Sequence, residues 1–107
     1  MKLILAIINK DDAPDVQANL TKDGFSVTKL ATTGGFLLAG NTTLLVGTDD
    51  DKVPAVCEII EKNSKKRKQM LPAATNYMGG AYSALPVEVT VGGATIFVLN
   101  VEEFKKV

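Results

Sequence analysis

The chain has no histidine and a single cysteine, Cys57. Without imidazole there is no His-dependent catalytic triad, and the commonest metal ligand is missing, so neither a zinc site nor any other metal or cofactor is expected. One thiol cannot close an intrachain disulfide, which makes the reducing cytoplasm the expected location. Charge of one sign is not in excess, because 12 Lys+Arg oppose 12 Asp+Glu. Duplex binders draw most of their affinity from a basic surplus that neutralises phosphates, so no nucleic acid polymer is expected as a partner. A small nucleotide remains open. Long apolar runs are also missing. Residues 3–8 are apolar but give way at once to Asn9, Lys10 and Asp11, which is too short for a signal peptide or a membrane span. No membrane insertion is expected.

What is present is the composition of a folded domain. Hydrophobic residues make up 46% and charged residues 22% of 107 residues, enough for one core and too little for two, so residues 1–107 are read as one domain. The run at residues 3–8 is apolar in both phases, as in a central strand covered on both faces. Asp11 or Asp12 is placed to cap a following helix that carries Pro14 in its first turn and Ala13, Val16 and Leu20 on one stripe. Gly24 stands where a left-handed residue would end that helix. Residues 25–32 and 42–47 read as strands. A second helix follows Asp49, Asp50 and Asp51, with Val53, Val56, Cys57 and Ile60 as its apolar stripe and the cations from Lys62 to Lys68 near its far end. Cys57 is expected to be buried and inert. Residues 70–84 read as a long irregular loop, residues 86–91 and 94–101 as strands joined in a hairpin at Gly92 and Gly93, and residues 102–107 as a short terminal helix.

The order βαββα, loop, ββ reduces to the ferredoxin-like βαββαβ arrangement once the loop and its attached strand are set aside, an α+β class. With both helices on one face of a four-stranded sheet, the other face is bare. The strands are nevertheless apolar in both phases, at Ile4 and Leu5, Leu44 and Leu45, Phe97 and Val98. A second copy of the chain is the simplest cover, which predicts a symmetric oligomer.

Two segments carry a more specific signal: KLATTGGFLLAGNTTLLVG, residues 29–47, and VEVTVGGATIFVL, residues 87–99. Together with the start MKLILAII and the group Tyr77, Met78, Gly79, Gly80, they resemble the PII-like cyclic di-AMP receptors known as PstA or DarA, over nearly the full length. The resemblance implies a ferredoxin-like homotrimer with a short T-loop between the second and third strands, an enlarged B-loop after the second helix, and cyclic di-AMP bound in clefts between subunits. It implies that Thr28, Gly35, Phe36, Leu37, Asn41, Gly47, Gly92 and Gly93 surround the ligand. The chain departs from the family pattern at Gly24, where Asn is usual, at Ser26, where Arg is usual, and at Leu38, often Arg. Its B-loop is also a few residues shorter.

The chemistry of these residues suits such a ligand. Phe36 on a glycine-flanked tip offers a flat platform for a purine, with Leu37 at the ring edge. Asn41 has both a donor and an acceptor for an adenine edge. Thr28 and the amides around Gly47 are placed to donate to phosphate oxygens. Phe36 packed into a neighbouring subunit is the competing reading. No nucleophile and base stand paired in the sequence, so no enzymatic activity is expected. The function expected is that of a signalling receptor that binds cyclic di-AMP, changes loop conformation and regulates an unknown downstream protein. The alternatives are a PII-like regulator of another adenine nucleotide, ATP or AMP, and an interaction module that needs no nucleotide.

Overall fold

The computed structural model describes residues 1–30, 40–71 and 87–107. The elements run β1 (Lys2–Asn9), α1 (Ala13–Lys22), β2 (Val27–Leu30), β3 (Asn41–Thr48), a 3-10 turn (Asp50–Lys52), α2 (Val53–Asn63), β4 (Arg67–Leu71), β5 (Val87–Val91) and β6 (Ala94–Asn100). Four strands form one sheet in the order β2-β3-β1-β6, and β4 pairs with β5 in a second, two-stranded sheet. Every pairing is antiparallel. A four-stranded antiparallel sheet with two helices is compatible with the ferredoxin-like arrangement expected from the sequence.

The alternation of β1 explains which face the helices take. Ile4, Ala6 and Ile8 point to the same side, as do Leu44 and Val46 of β3, and all five are buried together with Val16 and Leu20 of α1 and Val56 and Ile60 of α2. Full burial of a side chain of this size contributes about 1.5–3 kcal/mol. The intervening residues Leu3, Leu5, Ile7 and Leu45 lie on the opposite face and stay half-buried. Leu5 sits between Leu45 and Phe97 in the register, and Phe97 is 51% exposed. An apolar, uncovered face therefore exists, as the two-phase strands predicted.

Helix α1 stops at the point marked by Gly24. Gly24 has φ +91, its N–H bonds the carbonyl of Thr21, and the N–H of Phe25 reaches back to the carbonyl of Leu20, both at 3.0 Å. These two bonds are the Schellman pattern that satisfies the orphaned carbonyls of a helix end. The start of α1 differs from expectation. Asp12 occupies the N-cap position but makes no capping bond; its carboxylate accepts both guanidinium nitrogens of Arg67, at 3.0 and 3.2 Å.

Four further expectations are corrected. Helix α2 ends at Asn63, so Lys65 and Lys66 belong to a connection, and Arg67 and Lys68 open a strand instead of a solvated helix end. Ser64 ends the helix by turning its hydroxyl onto the carbonyl of Ile60. Met70 and Leu71 are the end of β4, and the remainder of the expected loop, residues 72–84, lies outside the described residues. Gly92 and Gly93 do not close a hairpin, because β5 pairs with β4 and β6 with β1. They form a corner between two sheets, at φ +88 and +80, and the N–H of Gly93 is held by the carbonyl of Ser64. Residues 102–107 contain no helix and leave Phe104 exposed; six residues without a packing surface cannot offset the cost of nucleating one.

Candidate functional site

Five of the eight residues singled out in the sequence are described: Thr28, Asn41, Gly47, Gly92 and Gly93. Gly35, Phe36 and Leu37 lie outside the described residues. Thr28 pairs with Leu45 in the register of β2 and β3, and Asn41 and Gly47 stand an even number of residues from Leu45 on β3. All three therefore belong to the face that the helices leave open. Each is exposed.

The open face does not gather them at one point. Asn41 lies opposite Asn9 and Gly47 opposite Leu3, at the two ends of β1. Six residues of strand separate them, or roughly 20 Å at the usual rise per residue. Two concavities follow. One, of about 570 Å³, has Gly47 in its wall together with Gly24, Ser26, Asp23, Asp49 and Lys52. The other, of about 250 Å³, brings Asn41, Gly92 and Gly93 together with Lys66 and Asn9.

The Gly47 end is shaped by Met1 and by acids. A Cβ on Gly47 would meet Met1 Cε at 3.4 Å, so the absence of a side chain keeps this wall low. The Met1 amino group is 3.0 Å from Asp50 Oδ1. That hydrogen bond holds the Asp50 carboxyl below the ordinary carboxylate range. The Asp49–Asp51 run does not gather into a metal site: among the described residues no group of three or more His, Cys, Asp or Glu could hold a cation.

The other end is shaped by the corner at Gly92. A Cβ there would lie 2.5 Å from the carbonyl oxygen of Lys65 and 2.9 Å from Arg67 Nη1. The Arg67 guanidinium is fixed in turn by Asp12, whose side chain is 11% exposed. This fork ties the first residue of β4 to the start of α1. Sequence reasoning missed it, having assigned Asp12 to capping and Arg67 to a helix end. Cys57 is half-buried instead of buried; desolvation, with Glu61 adding to it, pushes its thiol up from the ordinary range.

A small α/β domain with an antiparallel sheet, two helices on one face and shallow polar concavities at the two ends of the sheet is suited to binding, and it contains no helix among the described residues that is long and apolar enough to cross a membrane. The family model of the cyclic-di-AMP receptor matches residues 1–107, and the chain belongs to that family. It is also similar to a solved structure titled as a functionally unknown protein from Pediococcus pentosaceus ATCC 25745, with 38% sequence identity and a TM-score of 0.75, covering 99% of this chain and 96% of that one. Members of this family are receptors, a binding and signalling role, and the resemblance seen in the sequence agrees with the match.

Proposed function

We propose that the chain is a cytoplasmic receptor that binds cyclic di-AMP in clefts between the subunits of a homotrimer and changes loop conformation to regulate a partner protein. The observation that carries this reading is the division of the expected site. Within one chain Gly47 and Thr28 lie toward one end of the open face, and Asn41, Gly92 and Gly93 lie at the other. A ligand that touches both groups at close range fits between two copies, with the Gly47 end of one against the Asn41 end of the next. Such a contact joins unlike surfaces, and it closes into a ring when the rotation permits. The uncovered apolar residues Leu5, Leu45 and Phe97 supply the kind of surface that an obligate interface of about 2,000–5,000 Å² buries.

The test is a calorimetric titration with cyclic di-AMP, with the mass of the same samples measured by sedimentation. Saturable binding by a trimer, with a thermal shift that cyclic di-GMP, ATP and AMP do not match, is the expected result. A stable monomer at micromolar concentration removes the inter-subunit cleft. A larger shift with ATP or AMP moves the reading to another adenine nucleotide.

A further inference from the structure

The two concavities differ in charge, and this orients the ligand proposed above. The wall around Gly47 contains two carboxylates, Asp23 and Asp49, against one side-chain ammonium, Lys52, and the amino group of Met1, also on this wall, is already paired with a third carboxylate, Asp50. The concavity of Asn41 contains Lys66 and, among the described residues, no carboxylate. Phosphodiester oxygens are anionic and gain from a cation, while carboxylates beside them cost affinity. An adenine amino group, a hydrogen-bond donor, suits carboxylate neighbours instead.

We propose that Lys66 is the phosphate-binding cation of this chain, so that the phosphates of cyclic di-AMP turn toward the Asn41 and Gly93 end of the cleft, and not toward Thr28 and Gly47 as the residue types alone suggested; the proposal rests on the cyclic di-AMP reading. Three features hold Lys66 there. Its stem lies along Gly93, with Cγ 3.0 Å and Cε 3.2 Å from where a Cβ would stand, so a glycine is what leaves room for it. The Gly93 N–H is fixed by the carbonyl of Ser64, which keeps the corner against the end of α2. The next residue, Arg67, is clamped by Asp12 with both nitrogens, which anchors the chain immediately after Lys66. A lysine held between two anchored neighbours loses less freedom on binding than one on a free loop.

Lys66→Met, Lys66→Arg, Lys52→Met and, as a control, Lys68→Met are titrated with cyclic di-AMP at low and high salt, with melting followed in the same samples. Lys68 is exposed and faces Glu88 at 3.3 Å, outside both concavities. Lys66→Met is expected to bind about tenfold more weakly, about 1.4 kcal/mol, and to lose part of the salt dependence that wild type shows as screening increases. Lys66→Arg should keep both, and Lys68→Met should match wild type. Unchanged affinity and salt dependence in Lys66→Met, with wild type binding well, overturns the proposal and leaves the receptor reading standing. So does a loss confined to Lys52→Met, which would place the phosphates at the Gly47 end. If Lys66→Met melts early, equal weakening in Lys66→Arg marks a structural role and overturns the proposal as well. Wild type that does not bind cyclic di-AMP at all overturns both.

Discussion

Gly92 and Gly24 make a matched pair for testing how the candidate site is built. Both have φ near +90, at +88 and +91, so replacing either by alanine puts a side chain at a positive φ, at a cost of about 1–2 kcal/mol. Both substitutions also stiffen the unfolded chain alike, by about 0.4–1 kcal/mol in the opposite direction. The surroundings differ. Among the described residues nothing lies within 4 Å of a Cβ at position 24, whereas at position 92 it would stand 2.5 Å from the Lys65 carbonyl oxygen and 3.3 Å from its carbon. That backbone has little room to yield, since the N–H of Gly93 is held by Ser64 and Arg67 is held by Asp12. Overpacking of this kind costs about 1–3 kcal/mol.

The difference between the two variants reads chiefly the contact, because both carry the positive-φ cost and the unfolded-state contributions cancel. Gly92→Ala should be less stable than Gly24→Ala by about 1–3 kcal/mol, a gap of roughly 5–20 °C in melting temperature for a chain of this size. Urea unfolding at one fixed protomer concentration is the assay, since any oligomer makes the midpoint depend on concentration. Equal stability of the two alanine variants would refute the close packing of the corner against Lys65. If instead Gly92→Ala is the weaker fold as expected, its ligand affinity should fall too, because the corner and Lys66 share one concavity.

Phe36→Ala should weaken cyclic di-AMP binding by about 1–3 kcal/mol if the ring stacks on adenine, with the oligomer intact; dissociation of the oligomer with unchanged affinity per assembled unit would assign the ring to the interface instead. Arg67→Met should destabilise the fold by about 1.5–3 kcal/mol, the range for a bond to a charged group, because it strands the Asp12 carboxylate; hydrogen exchange should quicken first in β4 and β5, and uniform quickening would contradict a local anchor. Cys57 should alkylate more slowly than a free thiol near neutral pH. The stability that comes from its neutral form is complete below the ordinary thiol range and is lost as pH rises through its elevated value; rapid labelling of the native protein would contradict this. Ser26→Arg should tighten cyclic di-AMP binding by less than a full charge-assisted bond of about 1.5–3 kcal/mol, because Asp23 and Asp49 share its concavity; no change in affinity would show that the ligand does not reach that wall.

How much was legible depended on whether a residue's role is local. The end of α1 at Gly24, the strands β1, β3 and β6 and the open apolar face all follow from periodicity or from one residue's backbone freedom, and those were read from the chain directly. Strand β4 was not. Its Arg67-Lys68-Gln69-Met70-Leu71 has neither β-branched residues nor alternation, and it is a strand because it pairs with Val87–Val91 sixteen or more residues away. The same distance hid the Asp12–Arg67 fork, whose partners are 55 positions apart. Glycine pairs are ambiguous for a related reason. Gly92 and Gly93 have the positive φ that a hairpin turn requires, yet whether the following strand folds back or crosses to another sheet is decided by which edge offers a partner. For β6 that edge was β1.

Position 24 shows why a departure from a family pattern divides into a structural part and a ligand part. The Schellman end of α1 requires φ above zero there, and asparagine is the residue after glycine that most readily accepts it. Gly24 and the asparagine usual in the family therefore satisfy the same backbone demand, and the fold is indifferent between them. The concavity beside Gly47 is not indifferent. Glycine leaves it without an amide, and Ser26, exposed on the same wall, leaves it without a guanidinium. What remains charged on that wall, beside the Met1 amino group paired with Asp50, is two aspartates and one lysine. A ligand with two phosphodiester groups placed there would face an excess of one carboxylate, whereas at the opposite end of the sheet it would face Lys66 and, among the described residues, no carboxylate. On the receptor reading proposed above, Gly24 and Ser26 leave the helix end intact, and the favourable potential for a phosphate lies at the Gly93 end of the sheet instead of the Gly47 end.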